Sequence, residues 1–568
     1  MVATAKPFGR RLASGIHCLA WLTICCAARQ PAPLSADEGS TSRPNILLIL
    51  ADDLGYSDLG CYGGEIETPV LDQLAAGGLR FSQFYSTARC WPTRAALLTG
   101  YYAQQVRRDA VPGIRSGTQG TRPEWAPLLP QLLRQFGYRS YHSGKWHLDG
   151  RPLQNGFDRS YSLNDHDRHF APKQHQRDDV PLPPVQASEG YYSTIAIAQH
   201  TIDFLSEHAA EHADQPFFSF VAFTAPHFPV QAPQVDIQRY QERYRAGWDA
   251  LREQRWQRLQ SSGLVVGGLS SIERDLGPPY AFPEAIKKLG PDEVDRPLAW
   301  ATLGQSQQAF QAQKMAVHAA MVDRMDREIG RILEQVRKMN AWDHTLVLFL
   351  SDNGASAEIM VRGDGHDRQA ACGTGATFLS IGPGWSSLAN TPFRRHKTWV
   401  HEGGIASPLI VHWPQGIRSP GSICALPSHA IDVVQTLLEL AGETDVQAAG
   451  STVKRPGISL VPSFRGVTQK REQALWWLHE GNRALRVGNW KIVASANQSW
   501  ELYDLGVDRA EEHDLAAEDP QRLTALTTEW ERIWKEVAED ARSGVASEPA
   551  VPSKPVKEAG DAHTPEHR

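Results

Sequence analysis

Three unbroken apolar runs of strand length constrain this chain most: Asn45-Ile46-Leu47-Leu48-Ile49-Leu50, Pro216 to Phe223, and Thr345-Leu346-Val347-Leu348-Phe349-Leu350. A strand with one wet face alternates apolar and polar residues, whereas a strand without alternation is covered on both faces, as in an α/β sheet. The segments between them fit that architecture. Val322, Met325, Ile329, Ile332 and Val336 recur every three to four residues with charges between them, a helix with one buried stripe. Thr68 to Gly77 reads as a helix with Thr68-Pro69 as its start and Gly77-Gly78 as its stop, and Leu79 to Tyr85 as a short strand. Leu128 to Phe136 and Tyr192 to His208 read as helices, and Gly137 to Tyr141 and Leu409 to Pro414 as further strands. Open sheets of this kind bind ligands beyond the carboxyl ends of their strands.

Four such ends carry polar side chains. Asp52 and Asp53 follow the first run; residues adjacent in a strand point to opposite faces, so both can reach one ion only if the backbone has already turned at Asp53, which Gly55 would permit. A helix cap or a solvated turn is the other reading of this pair. Lys145 and His147 stand just beyond the strand Gly137 to Tyr141, and His227 closes Thr224-Ala225-Pro226-His227 after the second run. Either could instead be a surface lysine or a packing histidine. Asp352 and Asn353 follow the third run and supply hard oxygen ligands; with Asp52 and Asp53 they make a set suited to calcium or magnesium rather than zinc. Chance placement of all four groups at strand ends explains the pattern poorly. His166, His169 and His175 are too irregularly spaced for a metal site and read as a substrate-side loop without an assigned role.

Cys90-Trp91-Pro92-Thr93-Arg94 opens an apolar helical run ending in Leu98-Thr99-Gly100. Pro92 fits a first helical turn, and side chains four apart share a helix face, so Arg94 could hold an oxyanion or an oxygen nucleophile at position 90. A buried cysteine, or half of a disulfide, is the plainer alternative. Cys-x-Pro-x-Arg followed by Leu-Thr-Gly resembles the signature of the type I sulfatases, and Gly144-Lys145-Trp146-His147-Leu148 resembles that family's second signature. His227 matches its Ala-Pro-His segment, and Lys397 keeps the family's spacing of five residues before Glu402-Gly403-Gly404. The resemblance implies that Cys90 is converted to Cα-formylglycine by a maturase, and that its hydrate attacks sulfur to give a covalent sulfo-enzyme. It further implies that Asp52, Asp53, Cys90, Asp352 and Asn353 hold Ca2+, with Mg2+ the alternative. In that scheme Lys145 and Lys397 hold the sulfate oxygens, His227 protonates the leaving group and His147 takes a proton as sulfate departs; Arg94 lies beside the nucleophile. Glu402 reads as structural.

The fold it implies is alkaline-phosphatase-like, a mixed sheet flanked by helices with a smaller C-terminal antiparallel sheet and helix. The strands Leu475 to Leu478, Arg483 to Val487, Trp490 to Val493 and Trp500 to Leu505, and the helix Arg522 to Val537, fit the smaller part. Four segments are expected: a signal peptide at 1–36, a catalytic domain at 37–450, the C-terminal subdomain at 451–540 and a disordered tail at 541–568. Lys6, Arg10 and Arg11 precede the apolar run Leu12 to Ala28, the order of an export leader; the run is short and impure for a span, so the expectation is a periplasmic or extracellular protein with no stable membrane insertion. Residues 230–310 match bacterial arylsulfatases weakly and are expected to be helical over Ile237 to Gln260, mostly loop from Gly263 to Pro291, and placed at the pocket entrance. A net charge of −6 offers no footprint for nucleic acid. The substrate class is a small sulfate ester, aryl or saccharide. A phosphatase or phosphodiesterase of the same superfold, and an inert binding protein with Cys90 unmodified, are the competing readings.

Overall fold

The structure, a computed structural model, describes residues 43–362 and 365–543. Its main sheet contains β1 (Asn45–Ala51), β2 (Leu79–Tyr85), β3 (Arg139–Lys145), β4 (Arg159–Leu163), β5 (His175–Arg177), β6 (Val180–Pro181), β7 (Phe217–Ala222), β8 (Thr345–Ser351), β9 (Ala406–His412), β10 (Ser422–Cys424) and β11 (Ser428–His429). Their order is β10-β2-β9-β8-β1-β7-β3-β4-β5-β6, with β11 continuing along β2. Strands β8, β1, β7, β3 and β4 are parallel, whereas β9 runs against both β8 and β2. Two antiparallel pairings in succession point β2 the same way as β8. The carboxyl ends of β1, β2, β3, β4, β7 and β8 therefore share one edge, and β9 starts from it.

The absence of alternation in β1 is explained by two cores. Leu47 and Ile49 pack into one, Ile46, Leu48 and Leu50 into the other, and all five are fully buried. The helices α1 (Pro69–Ala76), α2 (Cys90–Thr99), α3 (Leu129–Leu133), α4 (Ser193–Glu211), α5 (Gln234–Ile237), α6 (Gly247–Ser262), α7 (Pro283–Leu289) and α8 (Gln305–Lys338) precede β8, and further helices follow it. The expected stripe of α8, Val322 to Val336, is wholly buried. The start of α1 differs from expectation: the Thr68 hydroxyl bonds Asp72 and accepts from the Gly60 N–H, while the Asp326 carboxylate of α8 accepts the N–H groups of Val70 and Leu71 at 3.0 and 2.8 Å. A tertiary neighbour has replaced the local cap.

Residues 230–310 are also more integral than expected. Tyr240, Tyr244, Trp248 and Leu251 lie in the core, and Arg255 of α6 pairs with Asp58 at 2.8 Å and Glu65 at 2.7 Å, so this segment is a wall of the fold. The aromatic side chains that gave it helical character are packed in the core instead of lining an entrance. The stretch read as loop contains α7, and its Tyr280 lies under Arg89 while its Phe282 packs against the cluster of Phe228, Met360 and Phe378.

The C-terminal strands β12 (Leu475–His479), β13 (Asn482–Val487), β14 (Trp490–Ala494) and β15 (Glu501–Asp504) form the expected antiparallel sheet in sequence order. The final helix, Pro520–Arg542, starts where Asp519 accepts the Arg522 N–H, and it outruns the expected segment at both ends, carrying helical structure into the expected tail. Buried Glu402 ties this sheet to the body: it accepts from Tyr85 Oη (2.9 Å), Lys491 Nζ (2.9 Å) and Arg509 (3.0 Å), in keeping with a structural reading. The expected leader at 1–36 and the tail from 544 lie outside the described residues. Among those described, no helix is long and apolar enough to cross a membrane, and Cys61, Cys90, Cys372 and Cys424 are all free thiols.

Candidate active site

The shared strand edge gathers the residues singled out above. Asp52 and Asp53 leave β1 with Asp53 at φ +65°, so the chain turns at the second aspartate itself; for a non-glycine residue that conformation is uncommon and marks local constraint. Gly55 serves a different purpose: a Cβ there would lie 2.4 Å from the Ala389 carbonyl oxygen. Lys145 is the last residue of β3 rather than beyond it, and its ammonium contacts Asp52 Oδ2 at 2.6 Å. Lys397 arrives from the segment that leads into β9, at 2.8 Å from Asp53 Oδ1. Asp352 Oδ1 accepts from the Asp53 N–H at 3.3 Å, and the Asn353 amide donates to Asp53 Oδ1 at 2.6 Å.

Helix α2 begins at Cys90, whose side chain is buried, and carries Arg94 inward on its first turn. The guanidinium donates to Asp352 Oδ2 at 2.8 Å and to the Lys145 carbonyl at 2.7 Å, and lies 3.5 Å from Asp52 Oδ2. Arg94 thus fixes two acidic groups and the end of β3 together. Burial pushes the Cys90 thiol up, and Asp52 and Asp352 add to this against Lys145 and Lys397. As a thiol it is therefore a poor nucleophile.

Three carboxylates in one dry site repel one another. Burial raises Asp53 despite Lys397, and burial with the Asp52 charge lifts Asp352 to about 7. Asp52 goes the other way: burial acts upward, but Lys145, Arg94 and Lys397 outweigh it and hold the carboxyl well below its ordinary value. Buried Asp52 Oδ1 and Asn353 Oδ1 have no hydrogen-bond partner, and one ligand atom each from Asp52, Asp53 and His227 lie within 4.8 Å of one another. Unsatisfied hard oxygens among crowded carboxylates fit a divalent cation such as calcium or magnesium.

His147 and His227 face this cluster. Burial, Lys145 and Arg94 keep the His147 imidazole neutral, and burial with both lysines does the same to His227. His227 Nδ1 bonds the Phe228 carbonyl at 2.5 Å, which leaves Nε2 turned towards Asp53 Oδ2, 3.8 Å away.

The reading of the sequence placed His166 on a substrate-side loop without a role and passed over Glu358 and Arg89. His166 lies between the two histidines at the strand-end edge, its ring centroid 5.4 Å from that of His147 and 5.1 Å from that of His227. It stands three residues past β4, a parallel strand whose small polar residues Ser160 and Ser162 disguised it; recognising that strand would have flagged His166 by the same edge rule. Glu358 is buried between Arg89 (3.0 Å) and Lys397 (3.5 Å). Arg89 also donates to Thr398 Oγ1 at 2.8 Å and lies over the rings of Trp91 and Tyr280. No local pattern announces either residue, because their partners come from four separate segments. His169 and His175 are structural: the former bonds Ser193 Oγ at 2.9 Å, the latter the Pro183 carbonyl at 2.7 Å.

The sequence model of the sulfatase family matches residues 44–443. An uncharacterised sulfatase of Schizosaccharomyces pombe is 31% identical over 564 residues, covering 90% of this chain and 96% of its own length. An arylsulfatase of Klebsiella aerogenes is 31% identical over 461 residues, covering 75% of this chain and 92% of its own length. Among solved structures, one titled Ps i-CgsB in complex with k-i-k-neocarrahexaose superposes with a TM-score of 0.60 at 23% identity, covering 88% of this chain and 93% of that one. Another, in complex with its substrate D-glucosamine-2-N,6-O-disulfate, gives 0.58 at 22% identity, covering 88% and 98%. These structures share the mixed-sheet architecture.

Proposed function

The chain belongs to the sulfatase family and is a sulfatase, and from that premise we propose that it hydrolyses sulfate esters through a Cα-formylglycine made from Cys90. One observation carries the reading: a buried thiol stands at a helix start where Lys145, Lys397, Asp52 and Asp352 are its principal charged neighbours. As the aldehyde hydrate, residue 90 supplies one hydroxyl to attack sulfur and a second whose deprotonation expels sulfate. Asp52, Asp53, Asp352 and Asn353, with residue 90, would hold Ca2+ or Mg2+, which supplies Lewis acidity and lowers the pKa of a bound oxygen.

The remaining work falls to side chains. Lys145 and Lys397 bind the sulfate oxygens, and as preorganised charges in a dry site they favour the transition state more than water could. Arg94 keeps Asp52 and Asp352 in register with α2, and Asp352 accepts the proton of the attacking hydroxyl. His147, neutral before substrate arrives, is suited to take a proton. His227 is neutral in the empty site because burial, and after it both lysines, disfavour its charged form; an anionic sulfate between the lysines offsets their repulsion and favours a proton on Nε2, which is delivered to the leaving oxygen.

The test has two parts. Mass spectrometry of the peptide containing residue 90, after expression with a formylglycine-generating enzyme, should show the aldehyde, and the same preparation should hydrolyse 4-nitrophenyl sulfate much faster than 4-nitrophenyl phosphate. Modified protein that prefers the phosphate would overturn the reading in favour of a phosphatase.

A further inference from the structure

His166 and the pocket beside it belong to no step described above. The pocket, about 360 Å3, begins at Lys145, His147 and His166, runs over the edge of β3 to β5, and is lined further out by Arg151, Asn164 and Gln176. A leaving oxygen within reach of His227 lies beside His166, because the two rings are in edge-to-face contact with centroids 5.1 Å apart. The rest of the leaving group then extends along this pocket.

Its chemistry is that of hydroxyl recognition. An imidazole presents one donor and one acceptor, and each amide presents both as well. Among the described residues, the side chains of Asn164 and Gln176 make no hydrogen bond to protein, so both remain available to a ligand. Sulfate itself is bound by Lys145 and Lys397, which leaves these neutral groups facing the organic part of the ester. Half-buried His166 and Gln176 and exposed Asn164 can each exchange water for a substrate hydroxyl, which an aryl ester without hydroxyls does not offer.

Resting on the sulfate-ester reading above, we propose that His166, with Asn164 and Gln176, forms a leaving-group subsite that selects the hydroxyl-bearing alcohols of saccharides over simple phenols. His166 contacts a hydroxyl next to the scissile ester, and the two amides hold hydroxyls further round the ring.

The experiment compares kcat/KM for 4-nitrophenyl sulfate with that for a panel of singly sulfated hexoses and N-acetylhexosamines, using aldehyde-bearing wild type, His166→Ala and Gln176→Ala. The wild type should cleave at least one sugar sulfate better than the aryl ester. Each variant should lower the sugar value at least tenfold more than the aryl value, chiefly through KM, and His166→Gln should recover part of the loss at the first position. Gln176 lies on the short strand β5, so its replacement tests the subsite even if His166→Ala fails to fold. A wild type active on the aryl ester but on no sugar of the panel, or variants that lower both substrates equally, would overturn the subsite while leaving the sulfatase reading intact. Aldehyde-bearing wild type that cleaves neither class would refute the sulfate-ester reading and this one with it.

Discussion

Glu358 balances two cations at once, Arg89 and Lys397, at a buried position. Both pull its carboxyl down to about 2 against burial. Removing one partner from a buried ion network costs about 3–5 kcal/mol because the others are left uncompensated. Glu358→Gln should therefore lower the denaturation midpoint and, by freeing Lys397, raise KM for sulfate esters more than it lowers kcat; unaltered kinetics would show that Lys397 is held by Asp53 alone. Cys90→Ala should abolish turnover, and Cys90→Ser should permit at most one sulfation event, since a serine ester has no second hydroxyl to break it; sustained turnover by either variant, followed through product release, contradicts the mechanism. At the cation site, chelation should lower the melting temperature and added Ca2+ or Mg2+ should restore it, a ligand at 100 times its Kd contributing about 2.7 kcal/mol. No shift on chelation would mean that the carboxylates are satisfied by lysine alone.

Within single elements, burial sets the pH response. On β3 the ring of His142 packs against Trp146, Phe157 and Phe220, and burial pushes its pKa down to about 3, with Arg94 adding to the shift. Burial depresses His396 and His429 to about 3 as well. The unfolded chain protonates these rings near pH 6.5 whereas the folded chain does not. Their contribution is thus complete above pH 6.5 and is lost as pH falls towards 3, by about 1.4 kcal/mol per pH unit for each ring. His142→Phe keeps the ring and removes the titration, so the variant should gain stability on the wild type at pH 5 relative to pH 8 in paired urea titrations; a pH-independent difference would show that His142 is protonated when folded. Helix α1 offers a second case. Asp326→Ala strands two N–H groups that α1 cannot satisfy itself, and should cost about 1–3 kcal/mol by chemical denaturation. A change within error would return the capping role to Thr68.

Across the whole molecule, the catalytic edge and the C-terminal sheet are joined through Glu402, with Lys491 from β14 also 2.7 Å from Glu511. Glu402→Ala leaves Arg509 without its carboxylate partner and Lys491 with Glu511 alone, and should destabilise the protein by about 3–5 kcal/mol; an unchanged urea midpoint would show that the sheet is held by apolar packing alone. Much of this organisation was legible in the residues. Continuous apolar runs gave the buried strands, because burial on two faces leaves no other composition, and the polar groups just past them gave the edge where the site forms. The turn required at Asp53 was readable as a geometric necessity, and its positive φ meets it. Less legible were the elements whose pattern is compromised by neighbours, such as β4, α7 and the segment 230–310, where aromatic side chains serve a core rather than an entrance.

By itself the sequence determined the α/β class, the central strands and the longer helices in order, the family, and most of the side chains placed at strand ends, because these follow from local periodicity and short motifs. Only the tertiary structure decided that Asp326 caps α1, that Arg94 spans two carboxylates, that Glu358 and Arg89 support Lys397, and that His166 joins the histidines at the edge. Each of these depends on which distant segments meet and in what register, and the free energy of such a contact resides in burial and pairing that no stretch of chain carries alone.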